Sequence, residues 1–335
     1  MKRATLADVA RAAGVGPMTV SRTINGNSYV AEETAKRVRA AIRELDYRPN
    51  HAARMLTGKL SRSIGMVVPD IADSFFSIVS HAVQDVARES GYLIWLAASN
   101  DDPAIEAAQV KMMAHHPVDG ILLVPADARN RYLKEVASGP TPIVTIDRPI
   151  EVANTDSVEV ENRAGARMAV DHLISHGCKR IVCIDTNSHL RTIKERIGGY
   201  QDSLRHARLP LSKELRLTNR AAARASLSAL FASRSRPDAL FTANNAATIW
   251  VIETLRELKI ETGKDVALFG FDDEDFYRLI TPPISAVRQP TAELGRVAAR
   301  LLLQKIKGEG SSSCVRTVLP VSLVQRASCG CTSID

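Results

Sequence analysis

Between Thr5 and Gly26 the chain reads TLADVARAAGVGPMTVSRTING, and Pro17, Met18, Thr19, Ser21 and Arg22 fall on the outward side of one short helix within it. An arginine beside hydroxyls suits nucleic-acid chemistry, because its planar fork meets a base edge with two bonds while hydroxyls reach phosphate oxygens. A second set of polar residues lies where apolar runs end: Asp70, Asp147 with Arg148, Asn244 with Asn245, and Asp272 with Asp273. Such strand ends are where open α/β sheets take ligands. Enzymatic signatures are missing: no G-x-G-x-x-G follows the first apolar run, and neither G-x-S-x-G nor H-E-x-x-H occurs. Gly198-Gly199 reads as a pair that lets helices pack closely, and His115-His116, ahead of Pro117, as solvated loop residues. Cys329-x-Cys331 lacks the spacing of a usual zinc pair, and no neighbouring ligand pair completes it in sequence, so it reads as a loose tail. No catalytic residue, metal or cofactor is expected.

The first motif needs two helices set at an angle. Thr5 with Asp8 three residues on marks a helix start, and Leu6, Val9, Ala10 and Ala13 form one apolar stripe. Gly14 follows where a left-handed turn is needed, Val15 plugs the angle, and Pro17 opens the second helix, whose inward positions are Val20 and Ile24. Asn25-Gly26 stops it. Glu32 to Leu45 repeats apolar residues at Val38, Ala41, Ile42 and Leu45, a third helix that closes a small core with Lys36, Arg37, Arg39 and Arg43 outward. Tyr47-Arg48-Pro49 breaks it, and Asn50 caps a short helical segment ending at Gly58, which orders only against a partner.

Charge separates this head from the rest. The first 62 residues carry 12 Lys and Arg against 5 Asp and Glu, whereas the remainder balances at 32 of each. The entire excess of +7 therefore sits at one end, the electrostatic footprint of a nucleic-acid-binding headpiece. The chain has 335 residues, 45% of them hydrophobic, enough for two or three domains with substantial cores. No apolar signal core follows Met1-Lys2-Arg3, and five sparse cysteines fit free thiols in a reducing compartment, so a cytoplasmic location without a membrane is expected.

From Ile64 apolar strands alternate with helices: Ile64–Pro69, Phe75–Ser90, Tyr92–Ala97, Ile105–His115, Gly120–Pro125, Tyr132–Ala137 and Ile143–Asp147. A second set runs through strand Ser157–Val160, helix Arg163–Ser175, strand Ile181–Ile184, helices Arg196–His206 and Ala222–Phe231, strand Leu240–Thr242, helix Ala246–Leu258 and strand Val266–Phe271. This is an α/β pattern of two similar lobes built on parallel sheets.

Taken in order, TLADVARAAGV, TVSR, LDYRPN, IGMVVPDI, VDGILLVP, HLISHGCKRI, the R-x-x-GY at Arg196, FTANNA, FGFDD and TPPISAVRQP resemble the lactose repressor (LacI/GalR) family over nearly the whole chain. The resemblance implies a three-helix helix-turn-helix headpiece over 1–48, a hinge helix and linker over 49–62, and a periplasmic-binding-protein-like core over 63–335 of two lobes, 63–160 with 291–320 and 161–290 with 321–335. It implies a homodimer on a near-palindromic operator, with Pro17, Met18 and Arg22 reading bases. Thr5, Thr19, Ser21 and Asn25 then hold phosphates, and Asn50, Ala53 and Leu56 belong to the hinge, with Leu56 the minor-groove wedge. Gly16 and Ala31 depart from the family by lacking the usual helix-capping side chain.

For the cleft, the resemblance points to Phe75, Phe76, Asp147, Arg148, Arg196, Asn245 and Asp272 as effector-binding residues. Facing arginines and carboxylates suit vicinal hydroxyls, each of which both donates and accepts. Asn245 replaces an aspartate common in relatives, and with Arg148 and Arg196 nearby the expected effector is a sugar or a sugar acid. The implied function is a repressor of a carbohydrate-metabolism operon. A sugar- or nucleotide-processing α/β enzyme and a transporter-linked sugar-binding protein are the alternatives, which the missing catalytic motifs and the basic head oppose.

Overall fold

The computed structural model describes residues 4–25, 30–47, 60–116, 118–152, 155–212, 214–310 and 313–331. The chain divides into two compact units, Met1–Ser61 and Arg62–Asp335. The expected hinge helix, with Asn50, Ala53 and Leu56, lies outside the described residues.

In the first unit, α1 (Leu6–Ala13) starts with a reciprocal cap: the Thr5 hydroxyl accepts from the Asp8 N–H at 3.3 Å, and the Asp8 carboxylate accepts from the Thr5 N–H at 2.9 Å. Gly14 ends it at φ +64°, a conformation that suits a residue without a Cβ. The turn leads into α2 (Pro17–Asn25), and α3 (Glu32–Glu44) closes the unit. Val9, Ala10, Ala13, Val20, Val38, Ala41 and Tyr47 form its core, with Val15 and Ile24 packed against it. Ala31 opens α3 with no side-chain hydrogen bond of its own to the helix amides.

The second unit holds two six-stranded sheets. The first contains β1 (Ser63–Val68), β2 (Leu93–Ala98), β3 (Gly120–Leu123), β4 (Ile143–Ile146), β5 (Asp156–Val160) and β11 (Arg316–Leu319), all parallel, in the order β11-β5-β4-β3-β1-β2. The second contains β6 (Ile181–Asp185), β7 (Leu215–Arg216), β8 (Ala239–Thr242), β9 (Ala267–Phe271), β10 (Ser285–Arg288) and β12 (Ser322–Val324), in the order β12-β10-β9-β8-β6-β7, parallel except that β12 runs antiparallel to β10. Helices α4 (Ser74–Glu89), α5 (Pro103–His115), α6 (Tyr132–Ala137) and α11 (Thr291–Ile306) go with the first sheet; α7 (Asn162–Ser175), α8 (Arg191–His206), α9 (Arg220–Ala232) and α10 (Asn245–Glu257) go with the second. Inner strands are covered on both faces and buried throughout, which explains why they read as unbroken apolar runs. The chain passes between the sheets three times, after β5, after β10 and between β11 and β12.

Several sequence expectations need correcting. The strand over 157–160, which heads the second set in sequence, pairs with β4 in the first sheet. The helix expected from Arg196 begins at Arg191, more than a turn earlier, because Leu190 in extended backbone provides the break. Strands β7, β10, β11 and β12 are too short to show as periodic runs. His115 is the last residue of α5 rather than a loop residue, its Nδ1 2.6 Å from the Lys111 carbonyl. The tail is not loose: the Ser328 hydroxyl donates to the Leu268 carbonyl at 2.7 Å, and Cys329 is buried.

β2 is an edge strand of apolar composition, and Leu93, Trp95 and Leu96 on it are exposed, as are Ile71 and Ile78 beside it. No described helix is long and apolar enough to cross a membrane. Gly198 and Gly199 lie in the middle of α8, where it packs on α7. A Cβ on Gly199 would stand 2.2 Å from the Arg163 carbonyl oxygen, so Gly199→Ala must push the two helices apart. It is expected to lower the stability of the protein by about 1–3 kcal/mol in urea unfolding, as overpacking does.

Candidate functional site

In the first unit, α2 turns Val20 into the core and leaves Pro17, Met18 and Arg22 exposed, Met18 to 68%, with Thr19 and Ser21 half-buried beside them. The order follows from helical geometry: one buried position every three to four residues leaves a contiguous outer strip. The Thr23 hydroxyl donates back to the Thr19 carbonyl at 2.9 Å. Thr5 is spent on the helix cap, its hydroxyl donating to Asp8 at 2.7 Å. Asn25 ends α2.

In the second unit the strand-end residues converge. Asp147 follows β4 and Asp272 follows β9, in equivalent places of the two sheets, and both take left-handed backbone, at φ +65° and +77°. Each sends its N–H across to the next strand, Asp147 to the Val158 carbonyl at 2.8 Å and Asp272 to the Val287 carbonyl at 3.0 Å. Aspartate tolerates this region better than most residues, and such strain gathers at functional sites. Arg148 is buried with its guanidinium 2.5 Å from Asp101, 3.1 Å from the Pro125 carbonyl and 3.5 Å from Asp147. Arg196 is buried as well: it donates to Asn162 at 2.7 Å and to the Ala243 carbonyl at 2.9 Å, lies 3.5 Å from Asp272, and stacks 3.7 Å over the Phe271 ring.

The two lobes meet through hydrogen bonds at this place. Asp73 caps α4 by accepting from the Phe75 N–H at 2.9 Å, and from the other lobe Asn245 donates its amide to Asp73 at 3.2 Å and to Glu274 at 3.1 Å. The Ser74 hydroxyl donates to both Glu274 oxygens, at 2.6 and 2.7 Å. Asp272 accepts from the Asn245 N–H at 3.2 Å and from the amide of Gln289 in the second crossing. Burial, followed by the nearby Asp272 and Glu274 charges, pushes the Asp73 carboxyl up to about 6, and the Asn245 and Phe75 donors offset part of that rise. Burial raises Asp147 too, against the pull of Arg148 and Arg196.

Of the expected cleft residues, Asp147, Arg148, Arg196, Asn245 and Asp272 come together. Phe75 is half-buried at the start of α4, in edge contact with Phe76 at 5.1 Å. Phe76 is a core residue, since the first turn of α4 points it under the sheet. Among the other strand-end residues, Asn244 caps α10, Asp70 accepts from the Ala72 N–H in an exposed turn, and Asp273 is held by Arg326 and Arg288 away from the cluster. Asp73, Ser74, Asp101, Glu274 and Gln289 were missed; only their position just past a strand or at a crossing would have marked them.

Residues 5–50 match the model of bacterial regulatory proteins of the lacI family, and residues 170–329 match a periplasmic binding protein-like domain. The HTH-type transcriptional repressor PurR of Aliivibrio fischeri (strain MJ11) is 31% identical over 310 residues, covering 91% of this chain and 92% of that protein. Among solved structures, the transcriptional regulator CelR in complex with cellobiose is 30% identical, with a TM-score of 0.72, covering 97% of this chain and all of that one. The Lac repressor dimer bound to operator and the anti-inducer ONPF shares the fold at a TM-score of 0.86 and 24% identity, covering 98% and 99%. With a lacI-family head, a periplasmic binding protein-like remainder and a repressor 31% identical over nearly its whole length, the chain belongs to the lacI family of DNA-binding transcriptional repressors.

Proposed function

We propose that this chain is a cytoplasmic, dimeric repressor whose hold on a near-palindromic operator is set by a neutral, polyhydroxylated effector bound between the lobes. The observation that carries the reading is the charge of the cleft. Asp73, Asp101, Asp147, Asp272 and Glu274 outnumber Arg148 and Arg196, and each guanidinium is already committed to a carboxylate. The sugar-acid expectation rests on Asn245 in place of an aspartate with Arg148 and Arg196 nearby; committed as these arginines are, they leave an acceptor-rich site that suits hydroxyl donors and repels an anion. Asp147 Oδ1 is buried without a hydrogen-bond partner among the described residues, a site for one such hydroxyl. The relative that carries cellobiose supports a sugar; the PurR relatives favour a purine, which the half-buried Phe75 ring would stack against.

Coupling follows as a population shift. A ligand that competes for Asn245, Glu274 or Ser74 exchanges the contacts joining the lobes for its own, and the change in lobe angle reaches the crossing at Gln289 through Asp272. Dimerisation is supported by the apolar edge formed by β2 with Ile71 and Ile78. On the operator, Arg22 pairs with a guanine, Pro17 and Met18 touch thymine methyls, and Thr19, Ser21 and Asn25 hold phosphates, with Asn50, Ala53 and Leu56 in the minor groove.

Thermal-shift measurements against neutral sugars, sugar acids, sugar phosphates, nucleosides and purine bases test the ligand class, because a ligand of the folded state raises Tm. A neutral sugar is the expected hit; a purine alone, or an acid alone, overturns the assignment. Asn245→Ala is expected to weaken that binding at least tenfold, by calorimetry, and also to shift operator affinity of the effector-free protein in anisotropy titrations, because it removes contacts that join the lobes. Arg22→Ala is expected to reduce specific operator binding by about 1–3 kcal/mol without changing effector affinity. Because the Asp73 carboxyl titrates near 6 when folded and at 3.8 in the reference state, its contribution to stability is fullest below 3.8 and is lost as pH rises through about 6. Asp73→Asn is therefore expected to match the parent in acid and to exceed it by about 1–3 kcal/mol at neutral pH in denaturant unfolding.

A further inference from the structure

At the far end of α7, two histidines come into contact with two cysteines that follow about 155 residues later in the chain. His172 and His176 stand four residues apart and so share one helix face, with ring centroids 4.5 Å apart. Cys331 Sγ lies 3.4 Å from the Nε2 of each histidine. The ligand atoms of His172, His176 and Cys331 are all within 4.8 Å of one another. Cys329 Sγ is 3.2 Å from His172 Nε2 and 3.2 Å from Cys331 Sγ, and also 3.1 Å from the Arg326 carbonyl.

We propose that His172, His176, Cys329 and Cys331 form a tetrahedral site for Zn²⁺ or a similar borderline divalent cation. Bonds of about 2.0–2.1 Å to nitrogen and 2.3 Å to sulfur put the ligands of a tetrahedral zinc about 3.4–3.8 Å apart, so the contacts at 3.2 and 3.4 Å need to open by at most about half an ångström, while Cys329, which touches His172 and Cys331, has to turn toward His176 to complete the set. Three of the four ligands are mutual neighbours before any ion arrives, and the fourth, Cys329, already touches two of them. His172 sits with its ring edge on Phe269 at 5.5 Å, and the backbone that presents the sulfurs is pinned by Ser328, whose hydroxyl donates to Leu268 and accepts from the Ser285 N–H at 2.8 Å. The sulfurs are not joined, since their separation far exceeds the ~2.05 Å of a disulfide. Binding takes both histidines as neutral ligands and both cysteines as thiolates, releasing two protons to solvent with no change of oxidation state. Four protein ligands leave no open position, so the ion is structural: it ties the segment that follows the third crossing to the helix that follows the first.

The test uses the full chain without a histidine tag, freed of metal with EDTA and titrated with Co²⁺ and then Zn²⁺. The expected result is one equivalent of Co²⁺ with the visible bands of a tetrahedral site and thiolate-to-cobalt charge-transfer absorption, displaced by one equivalent of Zn²⁺, which also raises Tm. Cys331→Ser and the exposed His176→Ala, each checked for unchanged circular dichroism, are expected to weaken Co²⁺ binding at least tenfold and to abolish the Tm shift, whereas Cys178→Ser is not. Weak binding with an octahedral spectrum overturns the proposal, as does a metal-free chain that only loses two hydrogens in mass as Cys329 and Cys331 join in a disulfide.

Discussion

A carboxylate taken out of water must be met by a cation or by hydrogen-bond donors, and the meeting of the lobes is organised around that demand. Asp147 and Asp272 end equivalent strands with their backbones in the left-handed region, which aims both side chains at the same space. Arg148 answers one and Arg196 the other. Because Arg196 also spans Asn162 and the Ala243 carbonyl, the ion pair fixes α7, α8 and the end of β8 relative to one another. Removing either partner would strand its opposite charge, so the residues that define the cleft also hold the fold around it.

The crossings between the two lobes are tied to one another and to the cleft. The Glu161 N–H, at the first crossing, bonds to the Leu319 carbonyl of β11 at 3.1 Å, just before the third, and Gln289 in the second crossing bonds to Asp272. The three crossings are thus joined to one another or to the cleft, and a change of angle between the lobes is felt by all of them together.

Local chemistry was legible in the sequence wherever a residue's reason for being there is local. Thr5 with Asp8 announces a capped helix, Gly14 a left-handed turn, and the period of Val9, Ala10 and Ala13 a buried stripe; each is found as read. Asp147, Arg148, Arg196, Asn245 and Asp272 follow from the resemblance to the family, motif by motif, and the structure brings them together. What escaped depends on pairings distant in the chain. Asp101 belongs to the cleft because of Arg148, 47 residues later, and Glu274 because of Ser74, 200 residues earlier. The same holds for Cys331, whose neighbour His176 lies 155 residues away, so that C-x-C spacing by itself carried no sign of a cluster. Phe76 failed in the opposite sense: beside Phe75 it looks equivalent, yet a helical turn sends one ring to the edge and the other inside.

The strand β2 carries a further consequence. Its inner side is paired with β1, while among the described residues no strand pairs with its outer side, and Leu93, Trp95 and Leu96 are exposed on it. An apolar, unpaired edge recruits whatever strand or surface comes within reach. A substitution that weakens the covering of this edge will therefore show itself first as insolubility during synthesis, and a genetic screen for lost repression will collect such changes alongside those that touch DNA or effector.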